Sequence, residues 1–314
     1  MLVLSTQHHV ILDTDLGSDV DDAMALAVIL GTPSIDLLGV TTVYGDTLLR
    51  ARLVRRFSSL ADRDTPTYAG IGSPRSGREV WWAGIEGSLH HDLERESVSD
   101  EPAVEFLTRA VAENPGQIDI VAIGPLTNIA AAIRANDHFA ADVRHLWVMG
   151  GIFDGGTGID GTGIEHNFRS DDESAAIVFT SGIPTTVTGL DVTEQLEFEA
   201  EQLTRISAGG ELGAALDADI RQWWTHWRRE RNVPHDPVAV LTLLHPELFE
   251  FSEPGRVMIS VGGTEAGRSV FLPDPAGSTR ITTALDKNHI ANRIVDAIVH
   301  ASAPPSLFRE TELT

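Results

Sequence analysis

Short apolar runs rich in β-branched residues alternate along this chain with longer amphipathic runs, and that alternation restricts its 314 residues to an α/β fold. Strands are expected at residues 10–12, 37–43, 118–123, 145–149 and 185–188, and helices at 21–30, 47–60, 104–113, 126–135 and 173–180. The segment Val121-Ala122-Ile123-Gly124-Pro125-Leu126 shows the type: a buried strand ends at Gly-Pro and a helix starts directly after it. Repeated units of this kind predict a doubly wound, mostly parallel sheet flanked by helices, a Rossmann-like core with ligands at the carboxyl ends of the strands.

From 199 to 244 the pattern turns helical, with Trp223, Trp224 and Trp227 clustered before Pro234. Residues 256–285 read as a small β region and 288–300 as a last helix. The Gly-rich stretch 150–163 lacks the strand-to-helix context of a phosphate-binding fingerprint and is expected to be a mobile loop. No repeat and no linker-like tract divides the chain, so residues 1–314 are expected to form one domain, with a helical active-site portion around 199–245.

Net charge narrows the partners. At −23, the average surface repels phosphate backbones and anionic lipids, which argues against nucleic acid and membrane. Lys287 is the one lysine among 23 basic residues, which fits a GC-rich genome or, as favoured here, an acidic surface suited to a salty cytoplasm. Cysteine is absent, so any metal must bind oxygen or imidazole. The first nine residues lack the basic and apolar regions of a signal peptide, and no apolar stretch approaches a membrane span, so a cytoplasmic protein is expected.

The segment Ile11-Leu12-Asp13-Thr14-Asp15-Leu16-Gly17-Ser18-Asp19-Val20-Asp21-Asp22-Ala23 carries the chemistry. Five carboxylates lie within ten residues directly after a buried strand, where repulsion and desolvation are costly unless a cation or substrate hydroxyls compensate. Capping of the next helix by Asp19 and Asp21 explains one or two of them. Hard oxygen donors point to Ca²⁺ or Mg²⁺. An EF-hand loop does not fit, because counting from Asp13 puts Ser18 at its glycine and Met24 at its bidentate glutamate. A strand ending in Asp-x-Asp also resembles the first motif of haloacid-dehalogenase-type phosphatases, but Lys287 is in no matching context.

The same segment resembles the signature of the inosine–uridine-preferring nucleoside hydrolases, Asp-x-Asp-Pro-Gly-x-Asp-Asp-Ala, with Leu16 for the Pro and two extra residues before Asp21-Asp22-Ala23. Further family-like segments follow in order: Gly39-Val40-Thr41-Thr42-Val43-Tyr44-Gly45-Asp46, Ile123-Gly124-Pro125-Leu126-Thr127-Asn128, Val148-Met149-Gly150-Gly151 and Glu165-His166-Asn167-Phe168, where the family has Glu-Phe-Asn. Gly189-Leu190-Asp191-Val192-Thr193 and His235-Asp236-Pro237-Val238-Ala239-Val240 complete the set. By physics alone Asp236-Pro237 is an N-cap followed by a first-turn proline.

The resemblance implies a nucleoside hydrolase-like fold and a Ca²⁺ held by Asp15, Asp22, Asp236 and the Thr127 carbonyl, with Asp15 also the general base. Asp21, Asp46, Glu165 and Asn167 would grip the ribose, and Asp19 is left unassigned. His235 is the candidate acid for the leaving base, with Asp46 and Trp82 acting on the base as the alternative. The family's His-Gly turn is replaced by Trp81-Trp82-Ala83-Gly84-Ile85-Glu86-Gly87, where Trp82 could stack on a purine. The implied activity is hydrolysis of a ribonucleoside, a small-molecule substrate, to ribose and free base by a homodimer or homotetramer. The competing classes are a phosphatase and a calcium- or ribose-binding protein without turnover.

Overall fold

The computed structural model describes residues 7–155 and 161–302. The expectation about a leader falls largely on residues 1–6 and that about a mobile loop partly on residues 156–160, which lie outside the described residues. Strands β1 (His8–Thr14), β2 (Ile35–Thr42), β3 (Thr67–Ala69), β4 (Ile118–Ala122), β5 (His145–Met149) and β6 (Thr185–Thr188) pair in parallel in the order β3-β2-β1-β4-β5-β6. Between them run helices α1 (Asp21–Leu30), α2 (Thr47–Leu60), α3 (Ala103–Glu113), α4 (Thr127–Ala135), α5 (Phe139–Asp142), α6 (His166–Ser170) and α7 (Asp172–Thr180). The strand order reverses between β1 and β4, and in doubly wound sheets the carboxyl ends at such a reversal form the ligand crevice.

The central strands are apolar on both faces, as helices on both sides of the sheet require. In β1, Val10 and Leu12 enter one core and Ile11 the other; in β4, Val121 enters the first and Ile118, Ile120 and Ala122 the second. The first core includes α1, α11 (His235–Leu244) and α12 (Lys287–Ala301), and the second α3, α4 and α7. After its two aspartates α1 is apolar all round, and it is buried from Asp21 to Ile29 against α11 and α12. Leu26, Val28 and Ile29 each contribute on the order of 1.5–3 kcal/mol by that burial. The helix thereby carries Asp21 and Asp22 on a buried N-terminus, whose free N–H groups and dipole favour anions.

Short α8 (Leu190–Thr193), then α9 (Ala200–Ser207) and α10 (Gly210–Trp227), precede α11 and account for the helical pattern. The C-terminal β region differs from expectation. Strands β7 (Phe249–Phe251), β8 (Gly255–Ile259) and β9 (Ser269–Pro273) do not stand apart, because β10 (Thr279–Leu285) pairs in parallel with β6 and joins them to the main sheet. Burial of Thr279, Ile281 and Thr282 explains the extension, which gives ten strands among the described residues. No helix among the described residues is long and apolar enough to cross a membrane.

Candidate active site

The acidic loop leaves β1 at the reversal of strand order, and its backbone is held from below. Asp13, fully buried, accepts from Thr41 Oγ1 (2.6 Å) and Asn128 Nδ2 (2.7 Å) through Oδ1, while its Oδ2 has no hydrogen-bond partner among the described residues. Burial pushes this carboxyl up to about 7 against those two hydrogen bonds. Asn128 also donates to the Thr42 carbonyl and accepts from Ile71 N–H, so one side chain ties together β1, β2 and the loop after β3. Gly17, at φ +130°, turns the loop where a side chain would meet Leu53.

Arg50 of α2 is fully buried beneath that turn. Its guanidinium donates to the carbonyls of Tyr44 (2.6 Å), Leu16 (3.0 Å) and Asp15, and lies 4.9 Å from the Trp82 ring. Those carbonyls take its Nε and Nη1 donors, and its charge favours the ionised form of Asp22. Nothing in the helical pattern of 47–60 distinguishes Arg50 from a solvent-facing residue.

Above the guanidinium the carboxylates crowd together. Asp21, Asp22 and Asp236 each place an oxygen within 4.8 Å of the other two, and all three are buried. Thr14 Oγ1 donates to Asp22, and the Asp236 N–H donates to Asp21. Desolvation first, and their neighbours' charges second, push Asp21, Asp22 and Asp236 well above the usual carboxylate range; Asp15 and Asp19 are among those neighbours. Asp19, on the inserted part of the loop, is raised to about 7 mainly by desolvation, with the Trp223 indole donating to it. Five buried or half-buried carboxylates beside one guanidinium form a donor set of hard oxygens with excess negative charge. A divalent cation of the Ca²⁺ or Mg²⁺ type fits it.

Asp22 and Asp236 meet, and the third carboxylate in their tight group is Asp21. Asp15 stands beside that group, close enough to raise all three, and it leans on Gly124, where an added Cβ would come 2.8 Å from its Oδ1. Thr127 begins α4 with its hydroxyl donating to Asp171 (2.6 Å), a buried carboxylate that also accepts from Arg75 N–H and Ser76 N–H. Asn167 donates to the carbonyls of Ile123 (2.8 Å) and Met149 (3.3 Å), at the ends of β4 and β5. Glu165 caps α6, its carboxylate taken by the N–H groups of Gly151, Asn167 and Phe168.

His235 opens α11 directly before Asp236, buried, with Nδ1 2.7 Å from Thr193 Oγ1. Desolvation, with the nearby Arg231 charge, lowers it to about 4 and leaves it neutral at pH 7. Asp46 is exposed and caps α2 through Leu49 N–H (3.0 Å). Trp82 lies against Arg50 and Gly45, whereas the exposed Trp81 stacks with Trp227 of α10 at 6.4 Å between ring centroids. Glu86, which sequence alone did not single out, accepts from Ser18 Oγ and from Ala83 and Gly84 N–H, tying the inserted residues to the Trp82 loop. Its signal was the insertion itself, whose polar residues need partners.

A buried group of carboxylates at the switch point of a doubly wound sheet can hold a hard cation, grip hydroxyls and take a proton from water. The inosine-uridine preferring nucleoside hydrolase family model matches residues 10–297, nearly the whole described chain. The chain belongs to that family. This nucleoside hydrolase is 31% identical over 276 residues to a probable uridine nucleosidase 1 of Oryza sativa subsp. japonica, covering 83% of this chain and 84% of that one. It is also 31% identical to the non-specific ribonucleoside hydrolase RihC of Salmonella enteritidis, over 93% and 98% of the two chains. Among solved structures it resembles the purine-preferring ribonucleoside hydrolase from Gardnerella vaginalis, with a TM-score of 0.82, 25% identity, and 94% and 99% of the chains covered. Nothing in these likenesses supports a phosphatase or a non-catalytic binding protein.

Proposed function

We propose that this nucleoside hydrolase cleaves the bond between ribose C1′ and the base nitrogen of ribonucleosides, releasing ribose and free base from the crevice above β1 and β4. One observation carries the proposal: Asp22, from the start of the chain, and Asp236, from far along it, converge beside Asp15 and Asp21 at the switch point of the sheet. Ca²⁺ is the assigned cofactor, with Asp15, Asp22, Asp236 and the Thr127 carbonyl to hold it; when bound, it supplies an oriented water of lowered pKa. Asp15 takes a proton from the attacking water as general base. Asp21, Asp46, Glu165 and Asn167 hold the ribose hydroxyls and fix the ring for attack. His235, whose ring is held neutral by burial, faces the leaving base as the candidate acid with an N–H to offer it, and Asp46 and Trp82 acting on the base are the alternative.

The chain is read as one nucleoside hydrolase-like domain, supported by the single sheet whose two faces carry both cores. It is assigned to the cytoplasm as a homodimer or homotetramer. The test is a panel of inosine, adenosine, guanosine, uridine and cytidine, assayed for reducing sugar with and without a calcium chelator. Release of ribose that stops with chelation supports the proposal. Phosphate release from a phosphomonoester with no cleavage of any nucleoside would overturn it, and so would nucleoside binding without turnover.

A further inference from the structure

We propose that His166 is a catalytic acid of this enzyme, donating the proton that the departing base requires; this rests on the nucleoside hydrolase reading above. His166 lies between Glu165 and Asn167, the residues assigned to the ribose. The resembling family segment is Glu-Phe-Asn, so an imidazole stands where a ring without a transferable proton is usual.

In space the imidazole joins the two halves of the site. It meets Tyr44 edge-on, with ring centroids 5.9 Å apart, and Trp81 edge-on at 5.7 Å. Tyr44 shares a turn with Asp46, assigned to the ribose, Trp81 adjoins Trp82, assigned to the base, and the Tyr44 hydroxyl accepts from Trp81 N–H at 2.7 Å. The bond to be broken links ribose to base, so a side chain lodged where the two sets of residues meet is beside that bond. Its neighbours Glu165, Asn167 and Phe168 are buried, whereas His166 is half-buried and keeps access to the crevice.

The ring is also free to act. Its Nε2 lies 3.4 Å from Ser170 Oγ, beyond a good hydrogen bond. Histidine is the side chain that changes charge near neutral pH. As the C1′–N bond breaks, its electron pair passes to the base nitrogen, which takes the His166 proton. The water oxygen bonds to C1′ and its proton goes to Asp15. Solvent then reprotonates His166 and deprotonates Asp15, returning the starting enzyme.

The experiment compares the wild-type enzyme with His166→Phe and His166→Gln on inosine and on 4-nitrophenyl β-D-ribofuranoside, whose leaving group departs as a stable anion without a proton. On inosine, kcat should fall roughly 10²- to 10³-fold in both variants, while on the nitrophenyl riboside it should stay within about threefold, which also shows that both variants fold. Equal losses on both substrates would overturn the proposal, as would an unimpaired His166→Gln on inosine. A wild-type enzyme that cleaves the nitrophenyl riboside but no nucleoside would overturn it as well. Cleavage of neither substrate would instead bring down the nucleoside hydrolase reading on which it rests.

Discussion

Asp236→Asn should make the metal-free protein more stable than wild type and remove most of its response to Ca²⁺. The Asp236 carboxylate shares with Asp21 and Asp22 a group of oxygens within 4.8 Å of one another. Two full charges at that separation repel by about 3.5 kcal/mol at an effective dielectric constant of about 20. Protons held by the crowded carboxyls already relieve part of this. Asn also forgoes about 0.3–1 kcal/mol of attraction to the positive end of α11. The expected net gain without metal is about 1–3 kcal/mol, or a rise in Tm of roughly 2–6 °C for a chain this long. Ca²⁺ should reverse the order, because wild type gains about 2.7 kcal/mol at a free concentration roughly a hundred times Kd, and the variant lacks one donor. Thermal denaturation of both proteins, followed by circular dichroism in chelator and in CaCl₂, reads both effects. A variant less stable than wild type in chelator, or a wild type indifferent to Ca²⁺, would refute the reasoning.

Three further outcomes follow from the geometry. Gly124→Ala forces a Cβ to 2.8 Å from Asp15 Oδ1 and 2.9 Å from Val43 Cγ1; unfolding curves should show a loss of about 1–3 kcal/mol and kcat/KM a fall of roughly 10²-fold. Activity and stability both near wild type would mean that Asp15 does not need its observed place. Arg50→Met leaves the carbonyls of Asp15, Leu16 and Tyr44 without their donor and the acids without their cation, so denaturant titration should show a loss of about 3–5 kcal/mol. A neutral or stabilising result would contradict the role given to the guanidinium. His145, lowered to about 4 chiefly by desolvation, with Arg144 also lowering it, is neutral when folded and protonates more readily when unfolded. Stability is therefore full above the unfolded pKa of 6.5 and declines as pH falls from there through about 4, by up to about 3 kcal/mol. His145→Gln should flatten that part of the stability profile; an unchanged slope would argue against it.

Where sequence and structure agree, local physics suffices. α1, α2, β5 and β6 have the expected bounds because each run is closed off by a turn or capping residue: Gly31 after α1, Asp46 before α2, Gly150 after β5 and Gly189 after β6. β3, with three residues, and α6, with five, are too short for any period to show. α6 is started by the Glu165 cap and β3 is held by pairing with β2, both of which depend on the assembled fold.

The acidic site was legible for a different reason. Asp13, Asp15, Asp19, Asp21 and Asp22 could not crowd behind a buried strand without something to offset their charge, so the cluster announced a cation or a polar ligand. Which oxygens share the tightest group was not legible, since that follows from the loop path set by Gly17 and the two inserted residues. Arg50 was hidden for a related reason. A charged residue on a helix is ordinarily solvated, and only the folded turn brings three carbonyls to its guanidinium.

A crystal structure grown with CaCl₂ and a non-hydrolysable nucleoside analogue, with the ion located by anomalous scattering, addresses the central claim most directly. The account predicts one ion on the side chains of Asp15, Asp22 and Asp236 and the carbonyl of Thr127, with Asp21 turned to the ribose hydroxyls. An ion held by Asp21 with Asp15 uninvolved, or no ion at this place at all, would contradict it.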